Sequence, residues 1–257
     1  MKWNILENKR PLVALVWRLM DKIKKLQELI DNSDNIVFFG GAGVSTESGI
    51  KDFRGKNGLY KDKYNNYSPE YLLSRKCLYE NTKDFYDYYK KNMNMKGIKP
   101  NITHMYLKKL EDNNKLKAII TQNIDGLDSL AGCKNVLEIH GTINKNYCDN
   151  CNKDYPSNYI FESNGIPRCE CGGLIRPKVV LYGEALPKEF DEAAYYISTC
   201  DLLIVAGTSL TVEPAASLVK LFRGDNFVII NLDKTPYDFQ ANLVINDYLG
   251  NVFSKLK

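Results

Sequence analysis

The chain has 257 residues, 44% hydrophobic and 26% charged, with a net charge of +4 from 35 Lys and Arg against 31 Asp and Glu. This is the composition of an ordinary globular protein, long enough to bury roughly 70–75% of its unfolded surface without covalent staples. Its lysines are spread along the chain, not gathered in a block, and no apolar run approaches the ~18–20 residues that span a bilayer, so neither a nucleic-acid nor a membrane partner is expected.

At the N-terminus, Lys2, Lys9 and Arg10 precede Pro11-Leu-Val-Ala-Leu-Val-Trp17, which mimics a secretory signal. The apolar part is short, Glu7 interrupts the leading region, and no small-residue cleavage site follows. Residues 1–19 are therefore read as an extension of uncertain role. It joins a helix near 12–32, where Leu19, Ile23, Leu26, Leu29 and Ile30 stand at helical spacing. Short apolar strands are then expected at 35–39, 117–121, 135–139, 179–182, 202–206 and 226–230. Helices are expected near 101–113, 187–199, 213–222 and 247–256.

Such alternation predicts an α/β protein, a Rossmann-like parallel sheet with helices on both faces. The loops after the strands carry Gly40, Gln122, His140, Gly207 and Asn231, and in an open α/β sheet they converge on one crevice. Two segments interrupt the pattern. Residues 56–100, rich in Tyr, Lys and Asn with helical stretches at 69–79 and 82–92, read as a helical cap; residues 142–178 hold paired cysteines. The sheet domain is then 20–55, 101–141 and 179–257.

Directly after the first strand comes Gly40-Gly41-Ala42-Gly43-Val44-Ser45-Thr46, followed by Asp52-Phe53-Arg54-Gly55. Glycines there let backbone N–H groups approach a pyrophosphate, although Thr46 stands where the common dinucleotide fingerprint has a third glycine. An acid, an aromatic ring and a fixed cation on one loop is the less ordinary part.

Seven cysteines are an odd number, and four of them fall in two pairs, Cys148-Asp-Asn-Cys151 and Cys169-Glu-Cys171. That pattern argues for a four-thiolate structural zinc site in a reducing, cytoplasmic setting. The second pair is one residue tighter than usual, which Gly172-Gly173 can accommodate. Cys77, Cys133 and Cys200 are expected to be inert buried thiols.

Thr121-Gln122-Asn123-Ile124-Asp125-Gly126 ends a strand and opens a helix. Asn123 or Asp125 would serve as an N-cap, but Gln-Asn-x-Asp in one turn exceeds what capping requires and favours ligand contacts. Of the two histidines, His104 sits at a helix start and reads as structural; His140 ends a strand at the crevice edge and is the natural general base.

Taken in order, GAGVSTESGIKDFRG (41–55), TQNID (121–125), EIHG (138–141), the cysteine pairs, VVLYGEALP (179–187), AGTSL (206–210) and INLD (230–233) resemble the sirtuins, NAD-dependent protein-lysine deacylases. The resemblance covers roughly residues 20–257 and is strongest to compact bacterial members. It implies that Gly41, Ala42, Gly43, Ser45 and Thr46 line the pyrophosphate and ribose region of NAD, that Asp52 shapes the loop, that Arg54 contacts the dinucleotide, and that Phe53 shields the anomeric carbon. Gln122 and Asn123 would hold ribose hydroxyls and an ordered water, and Ile124 and Asp125 the nicotinamide. Gly207, Thr208, Ser209, Asn231, Asp233 and Tyr248 would hold the adenosine half. Gly40 and Lys51 depart from the family pattern, which usually has Thr and Pro there.

The resemblance also implies the chemistry. NAD is a consumed co-substrate, nicotinamide leaves as the acyl oxygen attacks, and His140, with Asn123, serves transfer of the acyl group to ADP-ribose. The products are O-acetyl-ADP-ribose and free lysine. An acyl-lysine protein or peptide would lie along Val180, Tyr182, Gly183 and Glu184 and the loop 211–214 as an added strand. Tyr86 fits one half of the Tyr-x-x-Arg pair of succinyl-preferring sirtuins, but Tyr89 stands where the cation belongs, so neutral acyl groups are expected. A monomer is expected. Mono-ADP-ribosyl transfer from the same pocket, or a non-catalytic NAD or ADP-ribose sensor, are the competing readings.

Overall fold

The computed structural model describes residues 10–53, 55, 58, 59 and 64–257. Helix α1 (Arg10–Asp31) begins slightly earlier than its apolar pattern suggests and packs Ile23, Leu26 and Ile30 onto the core. Strand β1 (Ile36–Gly40) is buried at every residue. The cap follows as three short helices, α2 (Pro69–Leu72), α3 (Arg75–Glu80) and α4 (Thr82–Asn92). Ser68 and Ser74 accept from Tyr71 and Cys77 N–H groups and start the first two, the usual role of a serine N-cap.

Helix α5 (Ile102–Asp112) leads into β2 (Leu116–Thr121), the short helix α6 (Leu127–Leu130) and β3 (Val136–Glu138). The cysteine module then contributes β4 (Gly141–Cys148), β5 (Asp154–Pro156), helix α7 (Tyr159–Glu162) and β6 (Ile175–Val179). The sheet resumes with α8 (Glu189–Thr199), β7 (Leu202–Ala206), a 3-10 turn at Ala215–Leu221, β8 (Asn226–Ile230), β9 (Leu243–Ile245) and α9 (Leu249–Phe253).

Six strands form one sheet in the order β3-β2-β1-β7-β8-β9, every neighbouring pair parallel. Parallel strands covered on both faces need apolar side chains on both sides, which is why β1, β7 and β8 read as unbroken hydrophobic runs. Two core clusters lie on the two faces, one under α1, α5 and α9, the other under α8 and the 215–221 turn. A third joins the cap to the cysteine module through Phe85, Tyr86, Tyr89, Ile160 and Ile175.

The expected strand 179–182 is not part of the parallel sheet. Its place in the chain is taken by β6, which pairs antiparallel with β4 in a separate three-stranded sheet, β5-β4-β6. The sixth parallel strand is β9, a three-residue edge piece too short to stand out in the sequence. The helix expected at 213–222 is a 3-10 turn, and the one at 247–256 shrinks to Leu249–Phe253. The antiparallel sheet spans 141–179, one residue wider at each end than the expected module.

Sheet order reverses between β1 and β7: successive strands run outward from β1 on one side and from β7 on the other. That reversal opens a crevice beyond the carboxyl ends of β1 and β7, where ligands bind in open α/β sheets.

Candidate functional site

At the crevice, the loop after β1 is laced to the loop after β7. Gly41 N–H donates to Ala206 O at 3.1 Å, and Gly43 N–H to Gly207 O at 2.8 Å. A Cβ on Gly41 would lie 2.6 Å from Thr208 Cβ, and one on Gly43 2.7 Å from Gly207 Cα. The two glycines are thus required first by close approach of one loop to the other, and their N–H groups are spent there. Val44 and Ser45 N–H groups close the turn onto Gly41 and Ala42 carbonyls. Of residues 41–45, only Ala42 has an N–H without a protein acceptor among the described residues. Thr46 Oγ1 donates back to Gly43 O. Asp52 Oδ1 accepts from Gly55 N–H at 3.1 Å, a local side-chain-to-backbone bond that holds the bend of the loop. Arg54 lies outside the described residues.

The turn after β2 faces this loop. Asn123, only 7% exposed, donates from its side chain to Gly41 O and to Ser45 Oγ, each at 3.1 Å. Ser45 Oγ donates to Asp125 Oδ2 at 2.7 Å, and Asp125 Oδ1 accepts from Leu127 N–H at 2.9 Å. Burial raises the Asp125 carboxyl above its ordinary range, and those two donors oppose the rise. A cavity of about 300 Å³ opens here, walled by Ala42, Ser45, Phe53, Asn123, Ile124 and Asp125 at its base. It runs out to Lys91, Met93, Met95 and Ile98 at the end of the cap.

His140, immediately before β4, sits with Nδ1 3.0 Å from Gln122 O. A carbonyl oxygen only accepts, so Nδ1 carries the proton and Nε2 keeps its lone pair. Burial lowers the imidazole pKa below its ordinary 6.5, with the Gln122 carbonyl pulling the other way. The ring is neutral, oriented and basic at one nitrogen. His104, by contrast, is buried in the capping box of α5, where Nδ1 accepts from Asn101 N–H at 3.2 Å.

Toward the outer strands, Gln122 Nε2 donates to Thr208 Oγ1 at 3.0 Å, joining the two halves of the crevice. Ser209 and Thr211 hydroxyls pair at 2.7 Å. Asn231 Nδ2 donates to Asp233 O, curling the loop after β8, and Tyr248 is exposed beside the start of α9. Glu47, not singled out in the sequence, ties Gly250 N–H to the first loop at 2.6 Å.

Among the residues expected to meet a peptide, Val180 N–H donates to His140 O at 2.9 Å. Tyr182 N–H donates to Leu73 O and Tyr182 O accepts from Arg75 N–H, so this residue pins the cap and pairs with it. Gly183 adopts φ +87°, the left-handed turn after that bridge. The Glu184 carboxylate is taken up by both Nη atoms of Arg176, each at 2.8 Å, and by Leu181 N–H. Arg176 is itself buried on β6, and only the fold brings it to Glu184. Tyr86 donates to Ile175 O, and Tyr89 stacks between Phe85 and Phe161; neither ring lines the cavity.

Cys148, Cys151, Cys169 and Cys171 place their sulfurs within 4.8 Å of one another, with Cys148–Cys171 at 3.5 Å and Cys151–Cys169 at 3.6 Å. Four thiolates on tetrahedral zinc at ~2.3 Å stand about 3.8 Å apart, so the donor set and spacing fit. The tight Cys169-x-Cys171 spacing reaches the cluster through Gly172 at φ +85°. Two groups support the sulfurs: Tyr155 Oη donates to Cys169 Sγ at 3.0 Å and Asn150 Nδ2 to Cys171 Sγ at 3.6 Å. The Gly173 N–H first, then the Asn150 amide, hold the Cys171 thiol down to about 6. Cys77, Cys133 and Cys200 are all buried, and burial pushes their thiols up to about 11, 12 and 12.

Residues 41–214 match the Sir2 family model. An NAD-dependent protein deacetylase of Clostridium tetani is 54% identical over 237 residues, covering 91% of this chain and 96% of that protein. One from Clostridium acetobutylicum is 50% identical over 91% of this chain and 97% of its own length. In three dimensions, a Sir2 structure with deacetylated p53 peptide and 3′-O-acetyl-ADP-ribose has a TM-score of 0.85 at 39% identity, covering 90% of this chain and 96% of that one. A Sir2 complex with p53 peptide and NAD+ gives 0.82 at 37%, covering 91% and 96%. The chain belongs to the Sir2 family.

Proposed function

We propose that the protein is an NAD-dependent protein-lysine deacetylase that moves the acyl group of an acyl-lysine to ADP-ribose. The observation that carries this is the His140 ring. Its Nδ1 proton is committed to Gln122 O, its Nε2 is free to act as a base, and it stands between the Asn123 turn and Val180. A protein that only bound NAD would not need a neutral, oriented imidazole at that edge.

In this reading residues 20–55, 101–141 and 179–257 bind NAD, 56–100 cap the crevice, and 142–178 form the zinc module. Ala42 N–H, without an acceptor among the described residues, takes the pyrophosphate. Gln122 and Asn123 position ribose hydroxyls, and Asp125 accepts from the nicotinamide carboxamide at the base of the cavity. Phe53 and Ile124 wall the space from which nicotinamide departs. Holding the reacting groups in register supplies orientation, and His140 then draws a proton from the ribose diol as it attacks the acyl carbon. Gly207, Thr208, Ser209, Asn231, Asp233 and Tyr248 receive the adenosine half. Zinc, when bound to the four cysteines, orders the module and takes no part at the crevice, since four protein ligands close its coordination.

The peptide lies along Val180, Tyr182 and Gly183, with Glu184 held by Arg176 to keep that turn in place. A solved relative is bound to a propionylated peptide and another to an acetylated one, in keeping with neutral acyl groups. We read the protein as a cytoplasmic monomer without nucleic-acid or membrane partners. Among the described residues no helix is long and apolar enough to cross a membrane.

One assay tests the reading: NAD with an acetyl-lysine peptide, scored for nicotinamide release and peptide mass. Loss of the acetyl group supports deacetylation. A gain of ADP-ribose on the peptide would replace it with ADP-ribosyl transfer, and neither change would leave a binding protein.

A further inference from the structure

Asn101, the residue before α5, uses the two ends of its side chain for different purposes. Its Oδ1 accepts from Thr103 N–H at 2.9 Å, which caps the helix, while its backbone N–H donates to His104 Nδ1 at 3.2 Å. Its Nδ2 leaves the helix altogether. It donates to Val44 O at 2.8 Å and to Ser48 Oγ at 3.0 Å, on the loop after β1, 57 and 53 residues earlier in the chain. Capping requires only an oxygen, which Ser or Asp supplies about as well as Asn. The amide nitrogen is what asparagine adds, and both of these bonds go to the loop.

That loop is built of two 3-10 turns, Ala42–Val44 and Thr46–Ser48, which meet at Ser45. Turns this short have poor hydrogen-bond geometry of their own and depend on outside tethers. On one side Gly41 and Gly43 N–H groups tie the loop to the loop after β7, and the Ser45 hydroxyl meets Asn123 and Asp125. Asn101 adds one bond to each turn, at Val44 in the first and at Ser48 in the second. The angle between the turns, and with it the direction in which Ala42 and Ser45 face, is thereby set from α5. The origin of the tether is itself fixed, because His104 and Leu107 of α5 are fully buried.

We propose that Asn101 is a positioning residue for NAD: by holding Val44 and Ser48 at once, it sets the turn from which Ala42 and Ser45 meet the dinucleotide. This rests on the deacetylase reading, in which that turn binds NAD. Ala42 and Ser45 line the cavity and Asn101 does not, so Asn101 acts on the ligand only through the loop. Without the amide nitrogen α5 keeps its cap, but the two turns are free to rotate against each other at Ser45. NAD must then order them as it binds, and that ordering is taken from its affinity. The acyl-lysine peptide, which lies along 180–183 in the same reading, is not affected.

The test is the affinity for NAD and for an acetyl-lysine peptide, each by calorimetry well below the melting temperature, in wild type, Asn101→Ser, Ser48→Ala and Ser45→Ala. Asn101→Ser keeps a capping oxygen and loses both ties, so its NAD Kd should rise about tenfold, the scale of one or two net hydrogen bonds. Ser48→Ala loses one tie and should show a smaller rise, about threefold. Peptide affinity should stay at the wild-type value in both. Without NAD, amide hydrogen exchange should quicken over 42–50 in Asn101→Ser and remain unchanged along α5. Wild-type NAD affinity in Asn101→Ser, equal losses for NAD and peptide, or faster exchange throughout α5 would overturn the proposal. If Asn101→Ser does not fold, Ser48→Ala decides it by the same criteria. If Ser45→Ala loses NAD affinity while the other two variants keep it, the inference fails and the reading of the loop stands. If wild type binds no NAD, both fail.

Discussion

His140 is held between two opposed influences, burial that disfavours the imidazolium and a carbonyl that fixes one N–H. Because catalysis needs the neutral ring, activity is present above the His140 pKa and lost as pH falls through it. Burial puts that point below 6.5, so the acid limb of kcat/KM against pH should fall below 6.5 in wild type. His140→Ala should retain NAD binding, lose about 10²–10⁴-fold in turnover and lose that acid limb. Near-normal deacetylation by the variant would remove His140 from the mechanism. At the metal site, Tyr155→Phe deletes the hydroxyl that donates to Cys169. Outer partners of metal ligands are commonly worth 10–100-fold in affinity. Faster transfer of zinc to a chromogenic chelator is the expected result, and an unchanged release rate would reduce Tyr155 to packing.

Between elements, the decisive contact is loop against loop at the point where sheet order reverses. Gly43→Ala would drive a methyl group to 2.7 Å from Gly207 Cα, where backbone on both sides has little room to give. Overpacking of this kind costs about 1–3 kcal/mol. Here the damage falls on the turn that presents Ala42 and Ser45. We expect a weaker NAD affinity by calorimetry, larger than the accompanying fall in melting temperature would explain. The cysteine module depends on its metal in a different way. The module buries few apolar side chains, chiefly Ile143, Ile160, Leu174 and Ile175. Zinc removal should therefore open 148–174 to proteolysis before the parallel sheet unfolds. Because β6 leads directly into Val180, substrate turnover should fall with it.

For the whole molecule, stability against pH is set by buried groups with opposite signs. His104 is fully buried, and burial lowers it from 6.5 to about 4. Its contribution is complete above 6.5 and is lost as pH falls through about 4, up to about 3 kcal/mol. Asp128 is raised from 3.8 to about 7, so its contribution is complete below 3.8 and is lost as pH rises through 7. Between about 4 and 6.5 the two slopes oppose, with His140 adding to the first and Asp125 and Glu138 to the second. Denaturant unfolding should show wild type flatter in this window than either single variant. His104→Gln should gain stability toward acid, and Asp128→Asn should lose it. Parallel curves for all three proteins would contradict the assignment of these groups.

Much of this was legible in the residues themselves. A parallel strand buried on both faces must be apolar on both, so β1, β7 and β8 announce themselves, and four clustered cysteines have few uses other than metal. The motif at 41–55, the turn at 121–125 and His140 could be read as a crevice because strand ends in such a sheet converge. The rest depends on partners distant in sequence. Nothing local says that Gly41 and Gly43 are needed against Thr208 and Gly207, that Arg176 would occupy Glu184, or that 179–182 would leave the parallel sheet to pin the cap. Nor does the pattern Asp-Gly-Leu-Asp reveal that its second carboxyl lies buried behind the first. Which residues have chemistry to offer, and where strands and helices alternate, can be read along the chain because propensity and periodicity are local. Which of those groups are free, which are spent on each other and which are charged emerges with folding, because burial, close approach and electrostatics belong to the packed chain.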